Sequence, residues 1–167
     1  MKKPPVRTFI AALLAGALAS LPTLASASSL ESEIELLRSD LRTGKVEIVK
    51  QALHDVDGAK ADAFWPVYRK YQLDLDKIGD KRLALIKDFA AHYDSMTDAK
   101  AKTLATQALD LQSQRTNLLK TYYPQFAKVL GAIDAAKLIQ VEHLIMAAID
   151  LQIASEMPLI EKPAASN

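Results

Sequence analysis

Phe64, Tyr68, Tyr71, Leu75 and Ile78 recur at intervals of 4, 3, 4 and 3 residues, and the seam runs on through Arg82, Leu85, Phe89 and His92. An α-helix brings such residues onto one face, because its period of about 3.6 residues stacks positions i, i+3, i+4 and i+7. A second seam follows, through Ala101, Leu104, Ala108, Leu111, Arg115, Leu118, Tyr122 and Val129. No stretch alternates apolar and polar residues as a half-buried strand does, and the Asp57-Gly58 pair precedes a helical pattern rather than joining two strands. These patterns predict an all-α fold.

Three runs mark the helix starts: Asp57-Gly-Ala-Lys-Ala61, Thr97-Asp98-Ala-Lys-Ala101 and Asp134-Ala-Ala-Lys137. Each offers a side-chain oxygen to free backbone N–H groups ahead of good helix formers. They predict helices over 58–94, 98–130 and 134–155, and capping explains their likeness without an internal duplication. The first two arms, each about 35 residues or roughly 50 Å long, are joined so briefly between Asp94 and Asp98 that they must form an antiparallel hairpin. Pro66 and Pro124 fall inside these arms, where each removes a backbone bond and predicts a kink or a break.

Upstream, Ser28 and Glu31 have capping-box spacing, and Leu30, Ile34, Leu37 and Leu41 lie at helical intervals ending near Thr43-Gly44. A second short stretch, Val46, Val49 and Leu53, reaches His54. The last helix differs from the others. Leu138, Ile139, Val141, Leu144, Ile145, Met146, Ile149, Leu151 and Ile153 cover most of its circumference, which predicts burial on several sides, inside the fold or against a second copy. The expected architecture is a long kinked helical hairpin with a short N-terminal helix and a closing C-terminal helix.

The first 27 residues have the form of a secretory signal peptide. Lys2, Lys3 and Arg7 make a positive start, Phe9–Leu21 is an apolar run of 13 residues, and Ala25-Ser26-Ala27 is a small-x-small cleavage site. That run is too short for a spanning helix of roughly 20 residues. Cleavage after Ala27 would leave a helical domain over 28–157, a loose tail over 158–167, and 18 basic residues against 20 acidic ones. The expectation is a periplasmic protein with no membrane insertion after cleavage, and its near-neutral charge offers nucleic acid no footprint.

Much chemistry is excluded. With no Cys, the chain has no disulfides, Cys-ligated zinc, iron–sulfur cluster or thiol nucleophile. Five Gly, one in the leader, leave little material for phosphate loops, and no nucleophile elbow or dinucleotide fingerprint occurs. Asp74 and Asp76, two apart on a helix, point away from each other, so they do not make an acid–base pair. Among His54, His92 and His143 none has a second His one turn away; His54 with Asp57 has ligand spacing only at a helix end. Met96, Met146 and Met157 are better read as core filler than as haem ligands. Neither a cofactor nor enzymatic activity is expected.

Two groups of residues stand out. Arg82 and Arg115 occupy seam positions where apolar residues belong, so they either pair with an acid such as Asp110 or Glu142, or line a concave face with Tyr68, Tyr71 and Tyr122. Phe64-Trp65-Pro66-Val-Tyr68 with Tyr71 is the most distinctive run, and Trp65 lies about 100° from Phe64, so it meets a different neighbour or solvent. Aromatics interleaved with long charged side chains suit weak binding of many polypeptides. The candidate protein-binding surface is therefore Trp65, Tyr68, Tyr71, Arg82, Arg115 and Tyr122.

The layout of leader, short helix, kinked hairpin and closing helix resembles the Spy/CpxP (LTxxQ) family of periplasmic proteins. The runs Asp57–Tyr68 and Val129–Gln140 sit where that family has its turn, helix start and second signature. Neither contains the Leu-Thr-x-x-Gln pentapeptide, whose start is replaced by Leu53-His54 and Leu130-Gly131. The resemblance implies an all-α, often dimeric, cradle-like protein that acts without ATP on unfolded or partner polypeptides. The alternative it implies is an adaptor or metal sensor serving an envelope sensor kinase, with His54 or His143 reading the metal.

Overall fold

A computed structural model describes residues 43–160; the leader, the Ser28–Glu31 capping box, the seam from Leu30 to Leu41 and the last seven residues lie outside them. Among the described residues the fold is all-α. Helix α1 covers residues 43–52, α2 Gly58–His92, α3 Asp98–Leu130 and α4 Ala132–Glu156, with one 3₁₀ turn over Tyr93–Ser95. The boundaries of α2 and α3 lie within two residues of those expected.

Thr43-Gly44 does not end a helix as its composition suggested; both residues are helical. A single internal Gly costs only about 1 kcal/mol. Just beyond it Lys45, Val49 and Leu53 are buried against the rest of the protein, which outweighs that cost.

The long kinked helix α2 and its antiparallel partner α3 meet along the predicted seams, with Phe64, Tyr68, Tyr71, Leu75 and Phe89 buried from α2. From α3 the buried set is Leu104, Leu119, Tyr122, Phe126 and Leu130, so three core residues lie beside the expected seam rather than on it. Neither proline breaks its helix. Both rings stand on the solvent side, where the missing N–H leaves no buried acceptor stranded, and the aromatics beside them fill the inner side. Phe64 and Phe126 approach to 6.0 Å between ring centroids, and Tyr71 meets Tyr122 at 5.5 Å and Phe126 at 5.7 Å, the last two edge to face. A smaller core at the far end of the hairpin joins Phe89, Met96 and Leu104.

The expected caps are realised unevenly. The Thr97 side chain accepts a hydrogen bond from the Lys100 N–H at 3.2 Å, whereas Asp57 stands at the N-cap of α2 without a side-chain cap bond. Asp134 is not a cap: α4 begins two residues earlier, after Gly131, and Asp134 lies in its first turn. Gly131 turns the chain between α3 and α4 with φ 85°, a conformation that L side chains rarely adopt. Its N–H closes α3 on the Ala127 carbonyl at 3.0 Å, and its carbonyl accepts from Ala135 N–H at 3.0 Å to open α4.

Helix α4 then returns along the hairpin, burying Ala135, Leu138 and Glu142 on one face. The expectation that it would be enclosed within the fold on several sides is corrected: Leu144 is 71% exposed and Leu151 72% exposed. Both lie on the side of the helix that faces away from the hairpin.

Candidate functional site

Where α1, α2 and α4 meet, a carboxylate stands in the core. Glu142 is 0% exposed and accepts four hydrogen bonds, from Tyr68 hydroxyl at 2.7 Å, Tyr71 hydroxyl at 3.0 Å, Lys45 Nζ at 3.2 Å and Gln72 Nε2 at 3.4 Å. Lys45 Nζ also donates to Gln72 Oε1 at 3.1 Å. The seam spacing of α2 aims Tyr68, Tyr71 and Gln72 at α4, and α1 delivers the only cation among these contacts. Burial, and then the adjacent Glu142 carboxylate, pushes both tyrosine hydroxyls far above their ordinary pKa, so they act as neutral donors.

Lower on α4, Asp150 ties the two seam arginines. Arg115 grips it with both terminal nitrogens at 3.0 and 2.7 Å, and Arg82 Nη1 donates to the same carboxylate at 2.6 Å. Hydrogen bonding from Arg115, opposed by partial burial and helped by Arg82, holds the Asp150 carboxyl below its usual range. The arginines therefore do pair with an acid, but with Asp150 rather than Asp110 or Glu142, and they join α2 and α3 to α4.

Tyr122 is accounted for in the same way. Its hydroxyl donates to Asp74 at 2.6 Å, and burial together with that carboxylate pushes it up to about 12. Asp74 is held low by Lys77 and then Tyr122. Lys60 and Lys137 both bind Asp134, linking the starts of α2 and α4.

Of the expected binding surface, Tyr68, Tyr71 and Tyr122 are buried, the first two with their hydroxyls on the buried Glu142 carboxylate and the third with its hydroxyl on the part-exposed Asp74. Arg82 and Arg115 remain part-exposed, but their guanidiniums are engaged by Asp150. Trp65 is half-buried, edge-on to Phe64 and Tyr68, with Lys50 Nζ 5.9 Å from its ring centroid. Lys50 lies on α1, so the ring faces that helix. No buried side-chain nitrogen or oxygen among the described residues lacks a partner.

His54 pairs with Asp55 at 3.4 Å on the surface, His92 lies 3.0 Å from Asp88, and His143 is exposed on α4. Among the described residues no cluster of three or more His, Cys, Asp or Glu could hold a metal ion, and no helix is long and apolar enough to cross a membrane.

Among the faces that the described residues leave open to solvent is the outer face of α4; Leu73 on α2, Leu109 on α3 and Leu159 beyond α4 are exposed as well. Gln140, Leu144, Ala147, Ala148, Leu151 and Ser155 all project away from the hairpin. None of them carries a charge, while Glu142 and Asp150 of the same helix are used inward. The sequence showed these apolar residues but left open whether the fold or a second copy covers them, since periodicity alone does not say how many sides of a helix are covered. Neither the family models, nor the curated proteins, nor the solved structures contain a match to this chain.

Proposed function

We propose that this protein is a non-enzymatic polypeptide-binding module of the bacterial envelope, acting without ATP in the manner of a small chaperone. The observation that carries this function is the uncharged outer face of α4, with Leu144 and Leu151 each more than two-thirds exposed. Large apolar side chains grouped on one exposed face mark interaction surfaces. The leader-like first 27 residues support an envelope location, and the kinked hairpin with its closing helix agrees with the layout that the Spy/CpxP resemblance implies. The binding surface moves from the buried tyrosines to α4; the satisfied networks beneath serve to hold that helix in place.

The test is light scattering from an aggregating model protein, with and without this protein at equal molar ratio and no nucleotide. The protein should suppress aggregation, and the Leu144→Glu/Leu151→Glu double variant should lose suppression while keeping its melting temperature, since both positions are exposed and Glu is a good helix former. Absence of suppression by the unaltered protein sinks general polypeptide binding. Capture of one defined envelope partner through the same face would then favour the adaptor function.

A further inference from the structure

We propose that the tip of the α2–α3 hairpin is a second binding site, for an extended apolar stretch of polypeptide, and that the chain's own tail occupies it at rest. The tail leaves α4 at Met157, whose backbone is extended at φ −94° and ψ 124°, and Pro158 then bars any further helix. It was expected to be loose from residue 158, yet it is held at two points. The Met157 side chain packs against the tip core of Phe89, Met96 and Leu104, and the Tyr93 hydroxyl donates to the Leu159 carbonyl at 3.0 Å. Tyr93 serves both contacts, since its ring meets Phe89 edge to face at 5.5 Å between centroids.

The tip can open without the rest of the fold. Among the described residues, α2 buries none between Leu75 and Phe89, and α3 none between Leu104 and Leu119. Fourteen helical residues span about 21 Å, so that distance separates the tip core from the aromatic core. Polar ties bridge the gap: Arg82 and Arg115 on Asp150, and Lys81 Nζ on Gln114 Oε1 at 2.9 Å. Cores joined only through part-exposed polar contacts unfold as separate units, the smaller one first.

The seated tail shows what the site accepts. Its grip is one apolar side chain and one backbone carbonyl two residues on, while Leu159 and Ile160 point their side chains to solvent. A main-chain contact is blind to sequence, and methionine makes a soft, adaptable surface on both sides of the contact. Any extended segment with an apolar residue followed by an accessible carbonyl offers the same two groups. Because α4 presents the tail in place, its effective concentration exceeds the roughly millimolar value of a flexible tether. So few contacts therefore close the site at rest and still yield to a competing segment.

The probe is a peptide copying residues 155–160, titrated into isotopically labelled protein and followed by amide chemical shifts. In a chain ending at Glu156 it should shift residues 85–104 and leave 64–75 and 119–130 in place, with dissociation near about 1 mM. The full chain, and a control chain ending at Ile160, should bind it at least about tenfold more weakly because their own tail competes. Tyr93→Phe in the full chain removes only the hydroxyl and should speed hydrogen exchange over 85–104 about fivefold, with exchange over 64–75 unchanged. Trp65, the single tryptophan, packs on the aromatic core, and its unaltered emission shows that each variant keeps that core. No shifts in the chain ending at Glu156, equal binding with and without the tail, or exchange in Tyr93→Phe that is unchanged or raised equally in both cores overturns the proposal. The Leu144→Glu/Leu151→Glu substitutions leave the tip intact, so in the chain ending at Glu156 they should not weaken the peptide. Loss of binding there would place the peptide on α4 instead and likewise overturn the tip site, whereas binding at the tip by a protein that fails to suppress aggregation defeats only the function proposed for the α4 face.

Discussion

Replacing Glu142 by Gln keeps the side chain's shape and removes its charge, which makes it the sharpest probe of the buried network. In the native protein Oε2 accepts from Lys45 and Tyr71 while Oε1 accepts from Tyr68 and Gln72. An amide must place its NH₂ against one of these donor pairs, and Lys45, itself 6% exposed, loses its counter-charge. Breaking a buried ion pair by removing one partner costs about 3–5 kcal/mol. A tyrosine hydroxyl can turn to accept from the amide and recover about 1 kcal/mol, leaving a net loss near 3 kcal/mol. At about 2.1 cal/mol/K of unfolding entropy per residue, a domain of about 120 residues should lose about 12 °C in Tm. Lys45→Met is milder, about 2 kcal/mol, because the carboxylate keeps three neutral donors. Thermal melts followed at 222 nm, with urea titrations of both single variants and the double variant, measure these values. A shift below about 3 °C for Glu142→Gln, or strict additivity in the double-mutant cycle, would refute the ion pair as the link between α1 and α4.

Three further outcomes are expected. Asp150→Asn leaves Arg82 and Arg115 facing one another; with all three side chains partly exposed the loss is about 1–2 kcal/mol, read in urea and partly recovered in 1 M salt as the repulsion is screened. Gly131→Ala meets open space but must hold φ 85° and ψ 161°, a region essentially confined to glycine, so it should cost about 1–3 kcal/mol without altering the far-UV spectrum, and no loss would mean that the α3–α4 turn differs in solution. Tyr68, Tyr71 and Tyr122 ionise more readily unfolded than folded, so stability is complete below the ordinary tyrosine value of 10.0 and falls as pH rises beyond it. Asp74, Asp88, Asp134 and Asp150 have lowered folded values, so their contribution is present above 3.8 and disappears as pH falls through those values. Melts across pH should show a plateau between those limits, and tyrosinate absorbance near 295 nm should rise for the three buried tyrosines only together with unfolding.

Local periodicity alone determined that the described chain is helical, where α2 and α3 begin and end, and that the two form a hairpin. Those properties depend on residues three and four apart and on the few between Asp94 and Asp98, so they are written consecutively in the chain. Tertiary structure alone decided the fate of the polar groups, because their partners are distant: Lys45 and Glu142 stand 97 residues apart, Tyr68 and Glu142 74, Arg82 and Asp150 68. A signal existed, since tyrosines on a buried seam need an acceptor and Glu142 lies on the same face as Leu138 in the most apolar helix. It named the need and not the partner. The sidedness of α4 was equally hidden: a helix apolar nearly all round reads as enclosed, and only the packing of one hairpin against one of its faces leaves Leu144 and Leu151 in solvent.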